Sequence, residues 1–148
     1  LTESPWEVEE VRKQRLEIIL QKIGRKEIIL IIDETGDKKK GKKTDYVERQ
    51  YIGNLGKTEN GIVSVNAYGI WQGVTFPLLF RIYKPKKRLK GDDIYKTKTQ
   101  LAAEIITELQ EIGFKFELVL ADSLYGGSDT FLSVLNQYKM PFIVAISL

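Results

Sequence analysis

The chain has 148 residues, 43% of them hydrophobic and 29% charged, with a formal net charge of +3. That length suits one domain around one core, and that apolar content argues against wholesale disorder. Cysteine and histidine are both absent, which excludes disulfides, thiolate and imidazole metal sites, and serine–histidine or cysteine–histidine catalysis.

Any site must therefore be built from carboxylates, lysines, tyrosines or hydroxyls. No apolar segment approaches the roughly 20 residues that span a bilayer, so no membrane partner is expected. Residues 1–24 are charged and amphipathic rather than a short apolar block, which does not read as a signal peptide.

Residues 1–24 read as a helix. Ser4-Pro5-Trp6-Glu7 has the form of a capping box with proline at the first helical position. Leu16, Ile19, Leu20 and Ile23 then recur at helical spacing, and Gly24 fits the stop. Trp6 is expected to anchor this helix on the core or on a neighbour. A chain that starts at Leu1, almost in helix, reads as a segment of something longer.

Lys26 to Asp37, KEIILIIDETGD, is the stretch that organises the chain. The apolar, β-branched run Ile28–Ile32 reads as a strand buried on both faces. It runs into Asp33, and Thr35-Gly36-Asp37 reads as the turn that ends it. Asp33 then sits at the carboxyl edge of a central strand, the usual place for chemistry in an α/β sheet.

A long loop is expected from Glu34 to about Glu48, and loops of that length tend to be functional. It carries the basic run Lys38, Lys39, Lys40, Lys42 and Lys43. Residues 49–57, beginning with Arg49, have no clear regular pattern. Val63–Trp71 and Val74–Tyr83 are aromatic, β-branched runs around Gln72-Gly73, a hairpin signature. Pro77 marks the later strand as an edge or as bulged. A second basic run follows, with Lys84, Lys86, Lys87, Arg88 and Lys90, also expected in a loop. Lysine runs of this kind serve as solvated surface or as contacts to nucleic-acid phosphates.

Thr97 or Thr99 can cap the next helix, whose apolar face is Leu101, Ala102, Ile105, Ile106, Leu109 and Ile112, with Gly113 as its end. Phe116 to Asp122, FELVLAD, repeats the form of the first strand: an apolar run closed by an aspartate. Ser123 to Gly127 reads as a turn. Ser128 or Asp129 caps a helix bearing Phe131, Leu132, Val134 and Leu135. Pro141 opens a last strand that runs to Leu148.

If the strands closed by Asp33 and Asp122 are parallel neighbours, two carboxylates meet at one sheet edge. They repel unless a cation lies between them. Hard oxygen donors suit Mg2+ or Mn2+, so the pair reads as a metal-dependent phosphodiester site.

The element order, with Asp33 and Asp122 closing the first and fourth strands, resembles the ribonuclease-H-like arrangement. The chain resembles insertion-sequence transposases of the DDE superfamily. The resemblance is carried by Ile31-Ile32-Asp33-Glu34-Thr35-Gly36-Asp37 and the Lys-Lys-Gly-Lys after it, and by Arg49-Gln50-Tyr51 with Gly53 and Gly56-Lys57. Thr97-Lys98, Ala121-Asp122-Ser123-Leu124-Tyr125-Gly126 and the opening Glu3-Ser4-Pro5-Trp6 add to it.

The resemblance implies an α/β fold with a mixed five-stranded sheet in the order third, second, first, fourth, fifth. The first three strands would be antiparallel, the first, fourth and fifth parallel, with flanking helices. Residues 1–24 would lead into an incomplete catalytic core at 25–148. It further implies DNA cleavage and strand transfer in a longer parent, with two Mg2+ or Mn2+ ions held by Asp33, Asp122 and a third acid. That acid is expected beyond the last strand, so the chain alone is expected to be inactive in strand cleavage. Implied partners are transposon ends and target DNA, met through Lys38, Lys39, Lys40, Lys42, Lys43, Arg49, Lys84, Lys86, Lys87, Arg88 and Lys90. A dimer of the parent and a cytoplasmic, nucleoid-associated bacterial setting follow from the same resemblance.

Two other readings compete. Asp33-Glu34-Thr35-Gly36 also resembles the aspartyl-phosphate loop of phosphohydrolases, with Asp33 as nucleophile and Thr35 on the phosphoryl group. A non-catalytic DNA-binding module using only the lysine runs is the other; its binding would ignore Asp33→Asn and Asp122→Asn.

Overall fold

A computed structural model describes residues 5–147. One mixed sheet carries the fold, with α1 (Val8–Lys22), α2 (Lys98–Ile112) and α4 (Asp129–Gln137) sharing its core. The strands are β1 (Glu27–Lys38), β2 (Glu48–Ile52), β3 (Lys57–Trp71), β4 (Val74–Ile82), β5 (Lys115–Ala121) and β6 (Phe142–Val144), and a single helical turn, α3 (Ser123–Gly126), follows β5. β1 pairs antiparallel with β3 and parallel with β5, β6 pairs parallel with β5, and β4 pairs antiparallel with β3. This is the expected mixed arrangement, with a difference in detail: among the described residues the sheet has six strands rather than five, because β2 pairs with the first part of β3.

β1 is the centre, but it does not end at Asp33. Its pairing with β3 runs from Ile29↔Ile70 to Lys38↔Gly61, so Thr35-Gly36-Asp37 is strand rather than turn. Gly36 serves close packing there: a Cβ on it would lie 2.5 Å from Ile52 Cγ2, and one on Gly61 would lie 2.3 Å from the Asp37 carbonyl oxygen. The expected loop from Glu34 correspondingly shrinks to residues 39–47.

The two faces of β1 are not equally buried. Ile28, Leu30 and Ile32 are fully buried, whereas Ile29 and Ile31 are half-buried. Strand alternation sends the first set to the helices and the second to the outer face. The inner set packs with Leu16 and Leu20 of α1, Ile105, Ile106 and Leu109 of α2, and Phe131 and Leu135 of α4.

The hairpin β3–β4 forms as expected around Gln72-Gly73, both at positive φ (49° and 76°), the backbone that tight hairpin turns require. Pro77 sits beside a register shift, on a strand that pairs, among the described residues, only with β3. The Arg15 guanidinium takes up carbonyls near that shift, at Pro77 and Leu78.

At α2, Thr97 is the N-cap in a full capping box with Gln100, and Gly113 closes the helix at φ 114°. Ser128 caps α4 through the Phe131 amide. The first helix differs from expectation. It starts at Val8 with Glu7 in the N-cap position and no side-chain cap, so Pro5 is not its first residue; Ser4 lies outside the described residues. Trp6 is 74% exposed and is not part of the core. The last strand is shorter than expected, Phe142–Val144.

Candidate functional site

The parallel ladder between β1 and β5 ends at Ile32↔Ala121. Asp33 and Asp122 are the next residue on each chain. Neighbouring strands lie about 4.8 Å apart, so the fold brings the two expected acids to adjacent backbone positions. Both line one open cleft with Ile31, Leu120, Ile143 and Val144. Asp33 is exposed on the outer face of the sheet, in alternation with Ile31.

Local structure holds each carboxylate by one oxygen. Asp33 Oδ1 accepts the Glu34 amide at 2.8 Å. Asp122 is the N-cap of α3, and its Oδ1 accepts the Leu124 amide at 2.9 Å. Among the described residues neither carboxylate enters an ion pair. Two carboxylates, each with its second oxygen outside these amide bonds, make an all-oxygen donor set that fits Mg2+ or Mn2+. Among the described residues no group of three or more acids gathers around them.

The nearby acids are placed elsewhere. Asp37 shares the outer face, but four residues further along β1 is about 13 Å away at strand rise, and it lies 3.7 Å from Lys39. Glu34 points to the inner face, as alternation demands. Its side chain is 10% exposed and meets Lys98 Nζ, itself 19% exposed, at 2.8 Å. Lys98 also lies 5.7 Å from the centre of the Tyr83 ring. Burial pushes the Tyr83 phenol up to about 12, and its hydrogen bond with Tyr95 adds to this.

Tyr125, expected to pack near the site, is fully buried against Phe131, with ring centres 5.2 Å apart. Burial raises its phenol far above the ordinary value, and the charges of Glu34, Asp122 and Asp33 add to this in that order. Sequence reasoning missed the Glu34–Lys98 pair. Its only signal was Lys98 beside the capping Thr97, which says nothing about a reach to β1.

The two basic runs are brought together. Arg88 donates to the Lys42 and Thr44 carbonyls at 2.9 and 3.2 Å. Lys90 pairs with Asp45, and Lys84 with Asp93, whose other oxygen accepts the Tyr46 hydroxyl. Lys84 holds the Asp93 carboxyl below its usual range, helped by the Lys90 amide. Lys38 pairs with Glu59 and ends β1 instead of lying in a loop. Arg49 is on β2, and Lys86, Lys87 and Arg88 form a short 3-10 turn. Lys40, Lys42, Lys43, Arg49, Lys86, Lys87 and Arg88 make no ion pair among the described residues.

Comparison with known proteins bears on this geometry. The family described as "DDE superfamily endonuclease" matches residues 1–148. A protein of Microchaete diplosiphon, "Probable transposase for insertion sequence element IS701", is 63% identical over 147 residues, which are 99% of this chain and 39% of that protein. The chain thus spans well under half the length of this relative. A chain of the "Drosophila P element transposase strand transfer complex" aligns at 12% identity and TM-score 0.32, over 80% of this chain and 22% of that one. With the family match running from Leu1 to Leu148, the chain belongs to the DDE superfamily endonucleases.

Proposed function

We propose that this chain is part of a transposase catalytic core and that Asp33 and Asp122 are two of its metal ligands. The observation that carries this is the end of the β1–β5 ladder at Ile32↔Ala121, with an acid next on both strands. The 63% identical relative is named a probable transposase, which favours DNA as substrate. Bound Mg2+ or Mn2+ would supply activation of a water or 3′ hydroxyl and stabilisation of the leaving oxygen. The chain's own part is to hold two acceptor oxygens outward, on the face of the sheet that the helices leave open.

The merged basic surface is the proposed contact for DNA phosphates. Lys40, Lys42, Lys43, Arg49, Lys86, Lys87 and Arg88 would carry most of it, because Lys38, Lys39, Lys84 and Lys90 are engaged with acids. Strand cleavage and transfer belong to the longer protein, which would work as a dimer in the bacterial cytoplasm, at the nucleoid. This chain alone is read as inactive in strand cleavage, since no third acid joins the pair among the described residues.

The phosphohydrolase alternative needs a loop at Thr35-Gly36 to wrap a phosphoryl group. Those residues are strand, paired with Ser64 and Val63, which removes its structural basis. Titration with Mn2+, followed by NMR line broadening, tests the metal reading: broadening should centre on Asp33 and Asp122 and vanish in Asp33→Asn and in Asp122→Asn. Broadening elsewhere would refute it. Robust nicking by this chain, abolished by Asp33→Asn, would refute its inactivity.

A further inference from the structure

Strand pairing does not fix the spacing of Asp33 and Asp122. Past Ile32↔Ala121 the chains fork. β1 continues along β3, and β5 turns into α3. The two acids sit on the two prongs, where no ladder hydrogen bond joins them.

Three polar side chains lie behind this fork. Glu34 follows Asp33 on β1, Lys98 begins α2, and Tyr125 is on α3. The Tyr125 hydroxyl is buried and has no hydrogen-bond partner among the described residues. Glu34 Oε2 is buried too; its 2.8 Å approach to Lys98 is an ion contact without hydrogen-bond alignment. An unpaired buried hydroxyl destabilises a fold. Phenylalanine would fill the same space against Phe131 without that cost. The hydroxyl thus works against packing, and it stands on the helical turn that Asp122 caps, where the Tyr125 amide donates to the Asp122 carbonyl oxygen at 3.2 Å.

We propose that Glu34, Lys98 and Tyr125 are positioning residues for the Asp33–Asp122 pair, which fix the spacing of the carboxylates from the inner side of the sheet where strand pairing has ended. This rests on the reading of Asp33 and Asp122 as a metal-holding pair. Glu34 ties one prong to α2 through Lys98, and Tyr125, seated on Phe131, sets its unpaired hydroxyl on the other prong. Partners that orient ligating groups typically change metal affinity by about 10- to 100-fold when removed.

The test uses the 148-residue chain, with amide exchange in the metal-free protein and Mn2+ affinity from line broadening. The double variant Glu34→Gln/Lys98→Met removes both charges and leaves no lone buried ion. It should keep the protection of the Leu30 and Val119 amides in the ladder. The amides at positions 34 and 124 should exchange about tenfold faster, and Mn2+ affinity should fall about tenfold. Tyr125→Phe should melt no lower than the parent chain yet bind Mn2+ more weakly, a split that a packing role does not give. Mn2+ held by the wild-type chain with unchanged affinity in both variants would overturn this inference and leave the metal reading standing. No Mn2+ on Asp33 and Asp122 in the wild-type chain would overturn the metal reading, and the positioning role with it.

Discussion

Removing Lys98 should be among the more damaging single changes to a charged residue of this fold. The pair it makes with Glu34 spans 2.8 Å, with side chains 19% and 10% exposed. At an effective dielectric near 20, that separation is worth about 6 kcal/mol of gross attraction. Desolvation of both ions offsets most of this, so the pair adds little net stability. Lys98→Met nevertheless leaves the Glu34 carboxylate buried and alone, a loss of roughly 3–5 kcal/mol for such groups. The exposed tenth of Glu34 favours the lower end, about 3 kcal/mol. For a chain of this size that lowers Tm by roughly 6–12 °C. Glu34→Gln should cost less, about 1–2 kcal/mol, because Lys98 keeps the Tyr83 ring and some access to water. The double variant should lie within about 1 kcal/mol of the parent chain. Urea unfolding at pH 7 of all four proteins measures the coupling. Single losses that sum to the double within about 0.5 kcal/mol would refute the pair as a buried unit.

Other perturbations test other parts. Gly126→Ala would place a Cβ 2.0 Å from the Ala145 carbonyl oxygen, so it should cost about 1–3 kcal/mol by overpacking and weaken Mn2+ binding by shifting α3 and Asp122. Gly127→Ala, with nothing within 4 Å of its Cβ, is the matched control and should leave the urea midpoint unchanged. Tyr83 is raised to about 12 in the fold from about 10 in the unfolded chain. Its contribution is fully present below about pH 10 and is lost as pH rises through about 12, because the unfolded state then releases the proton first. Tyr83→Phe should flatten that alkaline limb in denaturation measured across it. DNA binding by the chain should weaken with salt, and Lys42→Gln/Lys43→Gln should reduce the log–log slope by about 2. Lys84→Gln, whose parent lysine is tied to Asp93, should barely alter the slope; a change as large as that of the double variant would sink the assignment.

Much of the fold is legible in local chemistry. The Gln72-Gly73 turn, the Thr97 cap and the Gly113 stop are written in adjacent residues and appear where expected. The proposed pair of acids is legible as two apolar runs each closed by an aspartate. What local chemistry hides is long-range. Thr35-Gly36-Asp37 has turn composition, but β3 supplies partners as far as Lys38, and Ile52 requires glycine beside it. Tertiary pairing overrides the turn signal. β2 is invisible for the related reason that Gly53 and Gly56 interrupt any alternating pattern just as its five residues end. The two lysine runs read as separate loops because nothing in either shows that Arg88 reaches the carbonyls of Lys42 and Thr44.

The same limit explains why both acids were visible and their support was not. An acid at the end of an apolar run is a local pattern, and parallel pairing of two such runs makes the acids neighbours with no further instruction. Beyond the last pair, however, β1 and β5 diverge, and a two-carboxylate donor set is only as good as its spacing. That spacing falls to residues whose own local roles are ordinary: a strand glutamate, the first residue of a capped helix, and a buried tyrosine. Each would pass alone as packing or surface charge. Together they set charge and an unpaired hydroxyl behind the fork, and a divalent-ion site needs its fixed geometry at that point.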